Sequence, residues 1–227
     1  MIRFFILLFF ISYFNSFCQT TDRQVRSRFF NRLTYDNPLD YDKINGSPFL
    51  NNKFLPGKII NKNTLDIQNV YLRYNVYNNF FEVKESDSGD ETFSLMKNKF
   101  IIPSINQQEF YLTKSIENDE NIYVSLVSRL NDNKIILKAY TCEYKEGVIP
   151  KSSYDKGRPA KFISNEVYYI AASEDFKLYK EFDLSKRDLL DIFDDKRDAL
   201  KKFIKQKDLK FKNENDLIIL INYYKSI

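Results

Sequence analysis

The chain has 227 residues, enough for one or two domains, and 43% of them are hydrophobic, enough to fill a core. Thirty-five basic and 31 acidic residues leave a net charge of +4 with no long basic run, so the concentrated positive face that nucleic-acid binding needs is excluded. Histidine is absent, which excludes Ser-His-Asp and Cys-His catalysis and His-containing zinc sites, and no GxxxxGK[ST] or GxGxxG loop occurs to hold a phosphate.

The first predicted element is a targeting segment over residues 1–18. Met1 to Arg3 is a short positive end, and Phe4 to Phe14 is an apolar run of signal-peptide length, too short to span a bilayer. Cleavage after Cys18 would put Ser16 and Cys18 at the positions a signal peptidase reads. The rival reading makes Cys18 a lipidated N-terminus, against which stands the bulky Phe17 before it. No later segment is long and apolar enough to cross a membrane, so no transmembrane span is expected in the mature chain. With Cys18 removed, only Cys142 remains, in a strand-like run that suits a small core or sheet residue better than a nucleophile.

Residues 19–45 form an N-terminal arm with four arginines near Phe29 and Phe30 and no clear period. Turn signals at Asn45-Gly-Ser-Pro and Leu55-Pro-Gly then open a β-rich body over residues 46–183. Its clearest piece is Leu72 to Lys84, which alternates, breaks at Asn78-Asn79, and alternates again. A two-residue loop there pairs Val76 with Phe81 and Tyr74 with Val83. It puts Leu72, Tyr74, Val76, Phe81 and Val83 on one buried face. Arg73, Asn75, Tyr77, Phe80, Glu82 and Lys84 lie on the other, with Arg73 and Glu82 on a diagonal as an exposed pair of little energetic weight.

Further strands are predicted at Phe93–Leu95 and Lys99–Ile102 around a Lys97-Asn98 turn. Others follow at Glu109–Thr113, Ile122–Val127 and Lys134–Tyr140, and a last hairpin joins Ala160–Ile163 to Val167–Ile170 around Ser164–Glu166. From residue 184 the period changes to that of a helix. Ser185 and Asp188 form an N-cap with Leu184 and Leu189 as a staple. Leu200, Phe203 and Ile204 mark a second helix, and Leu217, Leu220, Ile221 and Tyr224 mark a third. Ile218 and Ile219 widen that last stripe, which makes the third helix the expected most buried of the three. The fold class is therefore α+β: a mostly antiparallel β body, as a sandwich or open barrel, followed by three short C-terminal helices.

Carboxylate chemistry survives the exclusions, with Glu82, Glu109 and Glu143 as the acids in strand-like runs, but nothing in the sequence pairs them. The acidic run Glu85 to Glu91 lacks the spaced ligands of an EF-hand loop and reads as a solvated turn. No cofactor and no metal site is expected. Nine tyrosines (71, 74, 77, 111, 123, 140, 144, 168 and 169) fall on strands. They suit carbohydrate or protein recognition, and equally the plain β preference of a chain without tryptophan. The polar face of the hairpin, Arg73, Asn75, Tyr77 and Glu82, is the candidate binding site.

Three pieces together resemble a group of exported proteins of Bacteroidota. They are Gly46-Ser-Pro-Phe-Leu50 with Phe54-Leu-Pro-Gly-Lys-Ile59, the hairpin strand Leu72-Arg-Tyr-Asn-Val-Tyr77, and the helical tail from Ser185 to Tyr224. The resemblance implies export and a β-rich body with a helical tail, and it brings no catalytic residue. The reading that follows is an exported envelope protein that acts by binding, with an envelope protein as partner. A carboxylate-dependent hydrolase and a carrier of an apolar ligand are the alternatives.

Overall fold

The computed structural model describes residues 30–33, 40–148 and 157–227. The targeting segment and the rival fates of Cys18 lie outside them. Eleven strands are formed: β1 (Phe30–Arg32), β2 (Leu55–Asn61), β3 (Ile67–Asn75), β4 (Phe80–Lys84), β5 (Phe93–Leu95), β6 (Ile101–Ile105), β7 (Gln108–Lys114), β8 (Asn121–Arg129), β9 (Lys134–Lys145), β10 (Lys161–Ala172) and β11 (Leu178–Phe182). Helices α1 (Lys186–Ile192), α2 (Arg197–Lys207) and α3 (Glu214–Ser226) follow. The strands make one sheet in the order β1-β5-β4-β3-β2-β6-β7-β8-β9-β10-β11, with antiparallel pairing throughout. The α+β expectation holds.

The sheet curls on itself. β4 and β8 stand five positions apart in the strand order, which in a flat sheet would be about 24 Å at the usual strand spacing. Yet the rings of Phe81 on β4 and Tyr123 on β8 lie 4.9 Å apart, and Phe81 and Phe110 lie 5.1 Å apart. Tyr74 stacks on Phe81 at 4.6 Å. Leu72, Tyr74, Val76, Phe81 and Val83 are all buried in this core, as the alternation predicts. The interior of the curl is thus filled by aromatic rings. Two prolines sit in interior strands without cost to the ladder. Pro56 on β2 and Pro103 on β6 both lie where their strand has a single paired neighbour.

The long strands β9 and β10 are buried on both faces over Ile135–Ala139 and Tyr168–Ala171, which explains the unbroken apolar runs Ile135-Ile-Leu137 and Tyr168-Tyr-Ile-Ala171 there. Ile136, Tyr168 and Ile170 meet the helices. Ile135, Leu137, Ala139, Tyr169 and Ala171 form a further cluster on the opposite face, where Phe176 from the β10–β11 loop stacks on Tyr111 at 4.3 Å. Burial and nearby acids push the Tyr169 phenol up to about 12.

Several expectations need correction. The β3–β4 loop has four residues, Val76 to Asn79, not two. The Asn75 side-chain oxygen accepts the Asn78 N–H, Asn79 N–H closes on the Val76 carbonyl, and Asn79 takes the left-handed conformation (φ 53°). The register therefore shifts by two residues, so Tyr74 faces Phe81 and Arg73 faces Glu82 directly. A shift of two leaves every side chain on its predicted face. Phe93–Leu95 and the strand after Lys97-Asn98 do not form a hairpin: β5 pairs with β4 and β1, and β6 with β2. The last hairpin is one continuous strand, β10, because β9 runs on to Lys145 and pairs residue by residue past Ser164–Glu166. β11 has no forecast counterpart.

The helices behave largely as predicted. Ser185 Oγ accepts the Asp188 N–H at 3.1 Å and starts α1. Leu189, Leu190, Leu200, Ile204, Leu217, Leu220 and Ile221 are buried against the sheet, and Phe203 stacks on Tyr223 at 3.9 Å. Lys201, Lys202 and Lys205 are exposed. Ile218 and Ile219 are exposed as well, so they do not widen the stripe of α3, which buries Leu217, Leu220 and Ile221.

Candidate functional site

The segment from Asn45 to Phe54 is a strap. Asn45 bridges Lys161 at the start of β10, and Phe49 bridges Asn75 at the end of β3. Backbone bonds fix both ends: Phe162 N–H to the Asn45 carbonyl at 2.8 Å, and Val76 N–H to the Pro48 carbonyl at 2.8 Å. Gly46 allows this crossing, with φ at +86° and a Cβ position 2.6 Å from the Phe162 carbonyl oxygen.

Arg73 pins the strap. Its Nε and Nη2 donate to Glu82 Oε2 at 2.9 and 2.5 Å, and Nη1 donates to the Asn52 carbonyl at 3.1 Å. The guanidinium carbon lies 3.8 Å from the Phe49 ring centre and 4.5 Å from that of Phe54. Glu82 is 0% exposed. The pair is therefore buried and structural, which corrects the expectation of an exposed pair. Asn75 is also fully buried, and its Nδ2 has no hydrogen-bond partner among the described residues.

Of the four candidate residues, Tyr77 alone reaches solvent substantially, at 37%. Its ring lies 5.2 Å from Phe162 and 6.4 Å from Tyr144. Tyr41 joins from the strap side, 5.8 Å from Phe162 and 5.7 Å from Phe49, and its hydroxyl accepts from Asn78 Nδ2 at 3.2 Å. Tyr41, Tyr77, Tyr144 and Phe162 thus make an aromatic cluster on the seam between strap and sheet. The other tyrosines lie away from this seam: Tyr74 and Tyr123 are inside the curl, Tyr168 is under the helices, and Tyr111 and Tyr169 share the opposite face.

The predicted acids have separate neighbours. Glu82 is held by Arg73, Glu109 accepts from the Tyr111 hydroxyl, and Glu143 is exposed beside Lys145. The structure instead unites Glu166 and Glu214 around Lys138, which is 7% exposed. Lys138 Nζ lies 3.2 Å from Glu166 Oε1 and 2.7 Å from Glu214 Oε2. The Tyr168 hydroxyl lies 2.8 Å from Glu166 Oε2 and 3.1 Å from Glu214 Oε2. Burial alone would lower the lysine's pKa; the bond to Glu214 and the contact with Tyr140 outweigh it, and the net shift is upward. The visible signal was a lysine at an inward position, between Ile136 and Tyr140 on one face of β9. The carboxylates come from a strand and a helix far along the chain and carry no such mark. Burial raises the Cys142 thiol, consistent with a sheet residue and not a nucleophile. Among the described residues no helix is long and apolar enough to cross a membrane, and no three or more Cys, Asp or Glu side chains gather as they would around a metal ion.

The fold and this surface define an α+β protein with a curled antiparallel sheet and an aromatic seam. Comparison with protein families, characterised proteins and solved structures finds no match to the chain.

Proposed function

We propose that this is an exported cell-envelope protein that acts by binding an envelope protein partner through the aromatic seam. The observation that carries the reading is the cluster of Tyr41, Tyr77, Tyr144 and Phe162, with Tyr77 half-exposed. Tyrosine supplies a large rigid contact area with a polar tip at little entropic cost, the usual anchor of a protein interface. A carrier would need an apolar cavity between sheet and helices, and the packing of Leu189, Leu200, Leu217 and Leu220 with Ile136, Tyr168 and Ile170 there weighs against it. The commitment of Glu82 to Arg73 weighs against its use as a catalytic acid.

The test is retrieval from envelope extracts with the wild-type chain and with a Tyr41→Ser, Tyr77→Ser, Tyr144→Ser variant. A protein retained by the first and lost by the second supports the seam; equal retention by both places the interface elsewhere. Export is tested by N-terminal sequencing from native cells. The expected first residue is Gln19, and recovery of intact Met1 from the cytosol would refute it.

A further inference from the structure

The sheet face turned away from the aromatic core carries a groove of about 740 Å³ across β2, β3, β6 and β7. Strand register sets its chemistry. Asn69 pairs with Lys58, Lys58 with Ser104, and Ser104 with Glu109, so four polar side chains stand in one row across four strands. Ile60 and Ile67 pair on one side of that row, and Pro56 and Tyr71 pair on the other. The groove is thus a polar line between an aliphatic wall and an aromatic one.

A second observation comes from its rim. The β6–β7 turn is Asn106-Gln107, with both residues left-handed at φ 50° and 69°. Such a turn favours Asn followed by Gly. Gln107 is exposed and lines the groove, so the turn itself gains nothing from its side chain. Left-handed residues other than glycine recur in this chain, at Leu65 and Phe176 among others, so what marks Gln107 is its place: its amide stands at the rim, within reach of anything seated in the groove.

We propose that this groove binds a saccharide chain without acidic groups. A sugar ring has an apolar C–H face, which suits Tyr71 and the isoleucine wall. Its hydroxyls suit the amides and hydroxyl of Asn69, Gln107 and Ser104, and the carboxylate of Glu109. Two acids, Glu85 and Glu109, against the single Lys58 disfavour uronic acids.

The test is calorimetric titration of the full chain with three hexamers, of glucose, N-acetylglucosamine and galacturonic acid. At least one of the first two should bind, and the third should not. Gln107→Gly should keep or raise the urea midpoint, because it relieves the left-handed backbone, while weakening binding about fivefold. Tyr71→Ala should weaken it about tenfold. Tyr77→Ser should leave saccharide affinity unchanged, which separates this site from the seam. The proposal fails if neither uncharged hexamer binds at millimolar concentration. It fails equally if galacturonate binds better, or if Gln107→Gly leaves affinity unaltered.

Discussion

Arg73 and Val76 are three residues apart and on opposite faces, and both should matter for stability. Val76→Asp places a charge in the aromatic core and should unfold the protein or come close to it. Arg73→Ala leaves Glu82, which is fully buried, without its guanidinium, and uncovers the rings of Phe49 and Phe54. It should cost about 3 kcal/mol in urea denaturation; a loss under half a kcal/mol would show the strap is held by something else. Lys138 gives a pH signature. Its pKa is raised in the folded state, so its contribution is complete below the unfolded lysine value of about 10.4 and is lost as pH rises through the higher folded value. Stability should therefore be flat in this respect across neutral pH and fall in alkali. Lys138→Met should remove that part of the alkaline fall, as read from urea midpoints between neutral pH and about pH 11.

Pairing of elements was less legible than their existence. Alternation placed the faces of β3 and β4 correctly because the pleat has a period of two, and an error of two residues in loop length leaves the faces unchanged. What failed was anything decided by a partner far away. β10 looked like two short strands because Ser164, Asn165 and Glu166 are polar; it stays extended because β9 supplies hydrogen bonds past that point. Ile218 and Ile219 look like core by composition, yet α3 can turn only one stripe to the sheet. The candidate site divides the same way. Tyr77 stayed at the surface, while Arg73, Asn75 and Glu82 were drawn under a strap whose path no local pattern reveals. The helices themselves should be inseparable from the sheet. Removing residues 184–227 uncovers Ile136, Tyr168, Ile170 and Phe182, and the truncated chain should aggregate. An unchanged melting temperature would show an independent tail. Leu200→Ala, at a fully buried position, should cost about 3 kcal/mol.

Most neighbouring strands are joined in sequence by short loops, but the chain crosses from β5 past β4, β3 and β2 to place β6 beside β2, and β1 pairs with β5; the strap makes a contact of longer range still. The strap bridges β3, a little way ahead in the chain, and β10, which follows only after β2 to β9 have been made. Hairpins can form early because their ends meet over small distances, whereas a contact spanning so much chain must wait for the rest to close. The strap should therefore lock late, absent from the folding transition state. Gly46→Ala, which forces a Cβ against the Phe162 carbonyl, should then act mainly on the unfolding limb of a chevron, speeding unfolding while leaving refolding nearly untouched. A protein threaded through a membrane from its N-terminus would present the strap long before its second anchor, β10. Until that anchor arrives, Tyr41 and Tyr77 lack the Phe162 ring that packs against both, and this is the interval in which a chaperone has most to hold.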